Sequence, residues 1–536
     1  MRRFFSYGPI DTEEHYYAPR NQLIENGYNQ LLGENPQKGG HYITVWAPRQ
    51  CGKTWVMLEV VEKIKNNRRF EVGIISMQSA KKEQNEKKVL EIFIKKLNQV
   101  FEKSLPDIQK ISDIPDLFTK KYFQKPVILI MDEFDALIEE FINDFAGIFR
   151  DIFLSRATEK NKKTHEKTHL LHGLALVGVR SVLGIENQTG SPFNVQRSVH
   201  IPNLSFDEVK YLFQWYEKES GQKIEPEVIK KLFDETRGQP GLTCWFGELL
   251  SEGYEGYVNN KNLPISPELF EEVLAAAINI LPNNNILNII SKANEPAHKH
   301  QVLDLFKTDQ KVEFTYDDKS LNFLYMNGVI DREKENRTHY YVKFASPFVQ
   351  KRLFNYFSRE LFHYMGKLYD GFADTPGIIT ETGLDIPKLL RQYEAYLKKN
   401  REWLLKDAPR RADLRIFEAV YHFNLFSYLK QFLGSEGGSV LPEFPTGNGK
   451  IDLIVNYAGQ QYGLEVKSFT TRGNYGQALE RAAQYGKQMG MSEIFLVFFV
   501  DVIDEENRGR YEKAYRDEAI GVNVIPIFIE TGEPGK

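Results

Sequence analysis

An apolar, strand-length run from Tyr42 to Ala47 leads into the turn Ala47-Pro48-Arg49-Gln50-Cys51-Gly52-Lys53-Thr54, and a helical pattern continues from Lys53 to about Ile64. This stretch limits the fold more tightly than any other, because a strand, a Gly-Lys-Thr turn and a helix in that order build a cradle for phosphate. The turn follows the pattern GxxxxGK[ST], with Ala47 in place of the first glycine. Backbone N–H groups from Gln50 to Thr54 and the N-terminus of the helix would hold the phosphates, with Pro48, Arg49, Gln50, Cys51 and Gly52 forming the wall. Lys53 would reach the β and γ phosphates, and Thr54 would hold magnesium. The plain alternative is an ordinary strand-to-helix turn, and the position of the motif between strand and helix argues against it.

Further along, Pro126 opens the apolar strand Val127-Ile128-Leu129-Ile130-Met131, which ends in Asp132-Glu133-Phe134-Asp135. Asp132, at the carboxyl end of a buried strand, would hold a magnesium-bound water, and Glu133 would polarise the attacking water. One Mg-nucleotide site accounts for both the turn and the acids. Strand patterns at Phe70–Ser76 and Leu174–Val179 alternate with helical ones, which predicts a doubly wound parallel sheet.

The chain has 536 residues, room for about three or four domains. Hydrophobic residues make up 42% and charged residues 26%, the balance of a folded protein and not of a disordered or membrane-embedded one. The formal charge of -4 excludes a global polycation, so any nucleic-acid surface has to be a local patch. Cys51 and Cys244 are the only cysteines and have no metal-ligand or redox spacing, so a reducing compartment is expected, and the cytoplasm is our expectation. Met1 to Tyr7 lacks the apolar run of a secretory leader, and we expect no membrane partner.

A third constellation lies near the other end. Asp452 sits in Gly449-Lys450-Ile451-Asp452-Leu453-Ile454-Val455, Asn456-Tyr457-Ala458-Gly459-Gln460 reads as a hairpin turn, and Glu465-Val466-Lys467 lies in the returning strand. In that hairpin Asp452 and Glu465 meet at one end, and Glu465 and Lys467, two apart, share a face. Oxygen ligands of this kind suit Mg2+ or Mn2+, and the lysine can orient a metal-bound hydroxide toward phosphorus. A solvated strand pair is the bland alternative.

Taken together, the first two motifs resemble the AAA+ and signal-transduction (STAND) branch of P-loop ATPases, over roughly residues 10 to 350. The resemblance implies a Walker A motif at the turn, a Walker B motif at Asp132-Glu133, and bound ATP with Mg2+. It also implies a sensor region at Gly178-Val179-Arg180-Ser181, with Arg180 near the γ phosphate, and a GxP motif at Gly238-Gln239-Pro240, whose Pro240 contacts the nucleotide. Arg20, in Tyr17-Ala18-Pro19-Arg20, resembles the arginine that lies by the base. Ser191-Pro192-Phe193-Asn194 is similar to a prokaryotic subgroup. Arg150, Arg156, Arg180 and Arg197 are the candidates for an arginine finger. The order helix, hairpin, helix, strand, helix, strand over about residues 411 to 530 resembles the PD-(D/E)xK nuclease fold. Residue by residue, Asp452, Glu465 and Lys467 match its metal-binding motif, and Glu418, on the pattern Leu414 to Phe432, matches its first acidic position. The resemblance also offers Gln484, with Tyr485, to position the substrate phosphate.

The expected organisation is an α/β multidomain chain: a P-loop ATPase core over 1–204, a helical lid over 205–280, a winged-helix domain over 281–360, a helical connector over 361–410 and a restriction-endonuclease-like α/β domain over 411–536. Lys299, Lys319, Arg332, Lys334 and Arg337 are the winged-helix cations that could meet DNA, and Arg391 to Arg415 holds eight Lys or Arg against four Asp or Glu. The expected function is an ATP-hydrolysing domain coupled to a metal-dependent nuclease in DNA processing or genome defence, with a nucleotide-dependent homo-oligomer. The competing expectation is a switch whose C-terminal domain binds nucleic acid or a partner without cutting. A transcription regulator acting through the winged helix is a third.

Overall fold

The computed structural model describes residues 1–178, 197–255, 257–307, 311–361, 377–380, 382–404, 418–434, 437–443, 452–468 and 472–532. The chain forms two compact units, Met1–Val273 with Thr315–Gly328, and Leu274–Phe314 with Val329–Lys536.

The first unit is built on a parallel sheet of β1 (Tyr42–Trp46), β2 (Glu71–Ser76), β3 (Val127–Asp132), β4 (Leu171–Gly178) and β5 (Arg197–His200), in the order β2-β3-β4-β1-β5. β1, β3 and β4 read as continuous apolar runs because both faces of the sheet are covered there. Alternation then sorts the residues: Ile128 and Ile130 pack with Ile43, Val45, Ala175 and Val177 under α1 (Asn21–Leu32) and α2 (Lys53–Lys65). Val127, Leu129 and Met131 face the other way, toward α3 (Glu86–Phe101) and α4 (Glu139–Thr158). Sequence reasoning missed β5, a four-residue edge strand in which only Val199 is buried.

A helical lid follows, α5 (Phe206–Ser220), α6 (Pro226–Thr236) and α7 (Pro240–Ser251). Ser205 and Glu208 close a capping box that starts α5. The N-terminal segment straps this lid: Arg2 pairs with Glu219, Ser6 donates to Glu248, and the Phe4 ring fills the notch left by Gly247, where a Cβ would stand 2.5 Å from it. The short helix Lys319–Met326 also belongs to this unit, because Tyr325 packs on Trp46 at the end of β1 and Gly328 approaches Pro48. The stretch expected as one winged helix over 281–360 is therefore divided between the two units.

The second unit contains α8 (Asn284–Ala293), α9 (Pro296–Lys307), the hairpin β6 (Ile330–Lys334) with β7 (Tyr340–Phe344), α10 (Pro347–Leu361), α11 (Ile386–Leu404) and α12 (Glu418–Gly434). Its sheet comprises β8 (Ser439–Glu443), β9 (Asp452–Tyr457), β10 (Gln460–Ser468), β11 (Glu493–Val500), β12 (Tyr515–Arg516) and β13 (Asn523–Glu530), in the order β8-β9-β10-β11-β13-β12. The first three strands are antiparallel, and β10, β11 and β13 run parallel. Helix α13 (Arg472–Gln488) packs Leu479, Ala482, Ala483 and Tyr485 on Leu496, Phe498 and Val524. On α12, Phe423 and Phe426 pack against Phe354 of α10, tilted and edge-on respectively, which joins the two helices.

Candidate functional site

At the carboxyl end of β1 the chain turns through Gln50 at φ +57° and Gly52 at φ +84° before α2 starts at Lys53. The left-handed conformation at Gly52 is what a residue without Cβ tolerates, and nothing lies within 4 Å of where that Cβ would be. No side chain caps this helix. Open space before an uncapped N-terminus fits a phosphate chain. Lys53 is held inside the turn, donating to the carbonyls of Ala47 and Pro48 at 2.8 Å each. Burial lowers its pKa, opposed by Cys51, Asp135 and Asp132. A desolvated ammonium bonded only to carbonyls gains from an anion placed beside it.

Thr54 donates to Asp132 Oδ2 at 2.6 Å, which joins the start of α2 to the end of β3. Burial raises the Asp132 carboxyl, and the bond from Thr54 works against that shift. These oxygens are hard donors of the type Mg2+ takes, so the residues fit the cation that accompanies a nucleotide. Glu133 stands at φ +53°, and its carboxylate accepts from Ser76 Oγ, at the end of β2, at 2.5 Å. Ser76 and Asp135 were missed from sequence. Asp135 Oδ1 would lie 2.7 Å from a Cβ on Gly178, so that glycine makes room for a third carboxylate at this edge of the sheet.

The lid touches the turn directly. Gly241 N donates to Gln50 O at 3.0 Å, Gln239 Nε2 donates to Arg49 O at 2.9 Å, and Pro240 opens α7 between them. A Cβ on Gly241 would fall 2.4 Å from Gln50 Oε1, so only glycine permits this approach. The Arg49 side chain is exposed, and Cys51 is buried with its thiol pushed up to about 11 by burial, its sulfur 3.7 Å from Asn203 Oδ1. Arg20, expected beside the base, is buried and spends its guanidinium on Pro202 O at 2.9 Å and on Glu208 at 3.1 Å, which tie it to the start of the lid. Of the finger candidates, Arg156 is buried in hydrogen bonds to His169 O and Thr164, and Arg197 pairs with Glu34. Arg180 and Ser191-Pro192-Phe193-Asn194 lie outside the described residues.

In the second unit β9 and β10 are joined by Ala458 and Gly459, at φ +50° and +75°, a two-residue turn that fixes the register. That register sets Asp452 directly opposite Glu465. Glu465 is 3% exposed, an extreme burial for a carboxylate, and pairs with Lys467 through Oε1. Its Oε2 is buried with no hydrogen-bond partner among the described residues. Such an oxygen is costly unless something positive meets it, and a divalent cation is a group that would. Asp452 opens β9 and Glu418 opens α12; the expectations for their side chains lie outside the described part of the structure. Gln484 sits on the exposed face of α13 with Gln477, Glu480 and Arg481, while the core face carries Tyr485. The cationic surfaces expected from sequence are partly used internally. On the hairpin, Lys343 pairs with Glu333, and Arg332 lies over Tyr340. On the connector, Arg391 and Lys398 pair with Glu394, Glu512 and Glu530, and residues 405–417 lie outside the described residues.

Residues 5–255 match the family model of the AAA-like domain. With the phosphate turn, the acid-tipped β3 and the parallel sheet, this part of the chain is an AAA-like P-loop ATPase domain. No curated protein matches the sequence. Among solved structures, the chain is similar to the Walker-type ATPase of Pyrococcus abyssi, at 14% identity over 65% of this chain and 99% of that one, with a TM-score of 0.38. It is similar also to the ORC2 protein of Aeropyrum pernix, at 12% identity over 65% and 94% with a TM-score of 0.35, and to Cdc6p from Pyrobaculum aerophilum, at 15% identity over 65% and 94% with a TM-score of 0.33.

Proposed function

We propose that this protein is an ATP-regulated nuclease, with nucleotide hydrolysis in the first unit and metal-dependent phosphodiester cleavage in the second. ATP with Mg2+ would sit on the turn Pro48–Thr54, against Lys53, Thr54 and Asp132, with Glu133 as the base for water. The observation that carries the cleavage reading is the Glu465 carboxylate, buried, paired with Lys467, with one oxygen unmet among the described residues, and opposite Asp452 in register. A solvated strand pair would leave that carboxylate in water. Mg2+ or Mn2+ bound by Glu418, Asp452 and Glu465 would supply Lewis acidity and an activated water. Lys467 would hold a proton donor beside the attacked phosphate. The substrate is nucleic acid, DNA by our reading, in DNA processing or genome defence in the cytoplasm, with an assembly state that follows the nucleotide.

Two substitutions separate the activities. Lys53→Ala should abolish nucleotide binding or hydrolysis, and Asp452→Ala should abolish cleavage while ATP turnover continues. Loss of ATP turnover in Asp452→Ala with cleavage intact would reverse the assignment. A protein that cuts nothing and still binds nucleic acid would be the switch of the competing reading.

A further inference from the structure

A cationic platform lies at the amino edge of the first sheet, away from the carboxyl edge where the phosphate turn leaves β1. Three segments build it: the one before β1, the one before β3, and the loop Glu159–Leu170 before β4. Lys38 Nζ donates to Lys160 O at 2.9 Å, and Lys120 Nζ donates to Glu166 O at 3.2 Å. Thr164 N donates to Gln37 O at 2.7 Å and Leu170 N to Phe118 O at 2.6 Å, so the loop is stitched to both neighbours. Underneath runs a buried polar chain. Arg156 donates to His169 O and to Thr164 Oγ1, Thr164 donates to His172 Nδ1, and His172 Nε2 donates to Leu32 O at 3.1 Å. Lys167, also buried, donates to Arg156 O at 2.7 Å.

This scaffold fixes Lys38, Lys120, Lys160, Lys162 and Lys163 in exposed positions above two buried cations. Against them stand Glu159, which accepts from Lys162, Thr168 N and Thr168 Oγ1, and Glu166, which accepts from Lys163 N. Glu34, on the segment before β1, is taken by Arg197 and His41. The result is a local excess of positive charge on a chain of net -4, ordered by buried hydrogen bonds before any partner arrives.

We propose that this platform binds the phosphate backbone of nucleic acid without reading sequence. Lysine ammonium groups are point charges suited to phosphates at varied angles, and the exposed side chains of the loop are polar, with three lysines, and not the aliphatic and aromatic groups that insert into a lipid surface. The proposal rests on the reading that nucleic acid is the substrate, and gives it a second point of attachment.

The test uses the full chain and a fluorescent DNA duplex without divalent metal, with binding followed by anisotropy over a series of salt concentrations. The variant is Lys160→Glu/Lys162→Glu/Lys163→Glu, with the three Lys→Gln changes as a check on folding and charge reversal. Binding should weaken about tenfold or more, and the slope of log affinity against log salt should fall by about 2 to 3. Unchanged affinity and slope overturn the proposal, as does a loss confined to anionic vesicles or polyglutamate. Asp452→Ala, assayed separately for cleavage with Mg2+, keeps the two readings apart: it should fail to cut the duplex that the parent cuts. If it still cuts, the cleavage reading falls and the platform stands or falls on its own slope.

Discussion

At the scale of single residues, the acids beside the phosphate turn are already engaged by neighbouring side chains. Ser76 donates to the Glu133 carboxylate, and a Glu133 acting as a base toward water would release that bond. Glu133→Gln should leave ATP binding near the parent value and slow hydrolysis by about 10²-fold or more, read by single-turnover kinetics. Glu248 gives a pH test of the strap. Burial raises its carboxyl from 4.5 to about 7, with the bond from Ser6 and the nearby Arg3 opposing and Glu252 reinforcing the shift. The folded chain therefore keeps this proton longer than the unfolded one. The stability it contributes is complete below about pH 4.5 and is lost as pH rises through about 7. Glu248→Gln should be more stable than the parent at pH 8 by about 1–2 kcal/mol, allowing for partial solvent screening, and equal to it near pH 4. Thermal melts at the two pH values decide it. The pieces of the P-loop site were legible because each is a short-range pattern, a strand feeding a glycine turn or an apolar run ending in acids. The parts played by Ser76 and Asp135 were not, since a serine at the end of a strand or one more acid in an acid run carries no local signature of its partner.

At the scale of elements, the contact of α7 with the phosphate turn links the lid to the nucleotide. Gly241→Ala would press a methyl against Gln50, and ATP affinity should fall about tenfold, read by titration calorimetry. Pro240→Ala keeps that space and should affect coupling more than affinity. The hairpin of β9 and β10 was readable down to the pairing of Asp452 with Glu465, because the two-residue turn Ala458-Gly459 leaves one register. The docking of helix Lys319–Met326 beside Trp46 was invisible: its pattern suits a winged helix, and its partner lies in the first sheet. The amino-edge platform was equally hidden, being assembled from segments far apart in the chain.

For the whole molecule, the account requires that two chemistries answer to one nucleotide. A ligand shifts an equilibrium only through its differential affinity for the two states, so ATP has to change assembly or cleavage by a measurable amount. Sedimentation with and without a nonhydrolysable analogue should show a change in mass or shape that Pro240→Ala weakens. Identical profiles would leave two tethered activities. The most direct measurement is cleavage itself: full-length protein with plasmid, single-stranded DNA and RNA, in Mg2+ or Mn2+, with and without ATP, beside Asp452→Ala and Lys467→Ala. The account predicts metal-dependent cleavage of at least one substrate at a rate that ATP alters, lost in both variants while ATP hydrolysis persists. Intact substrates under every combination, or equal cleavage by parent and variants, would contradict it.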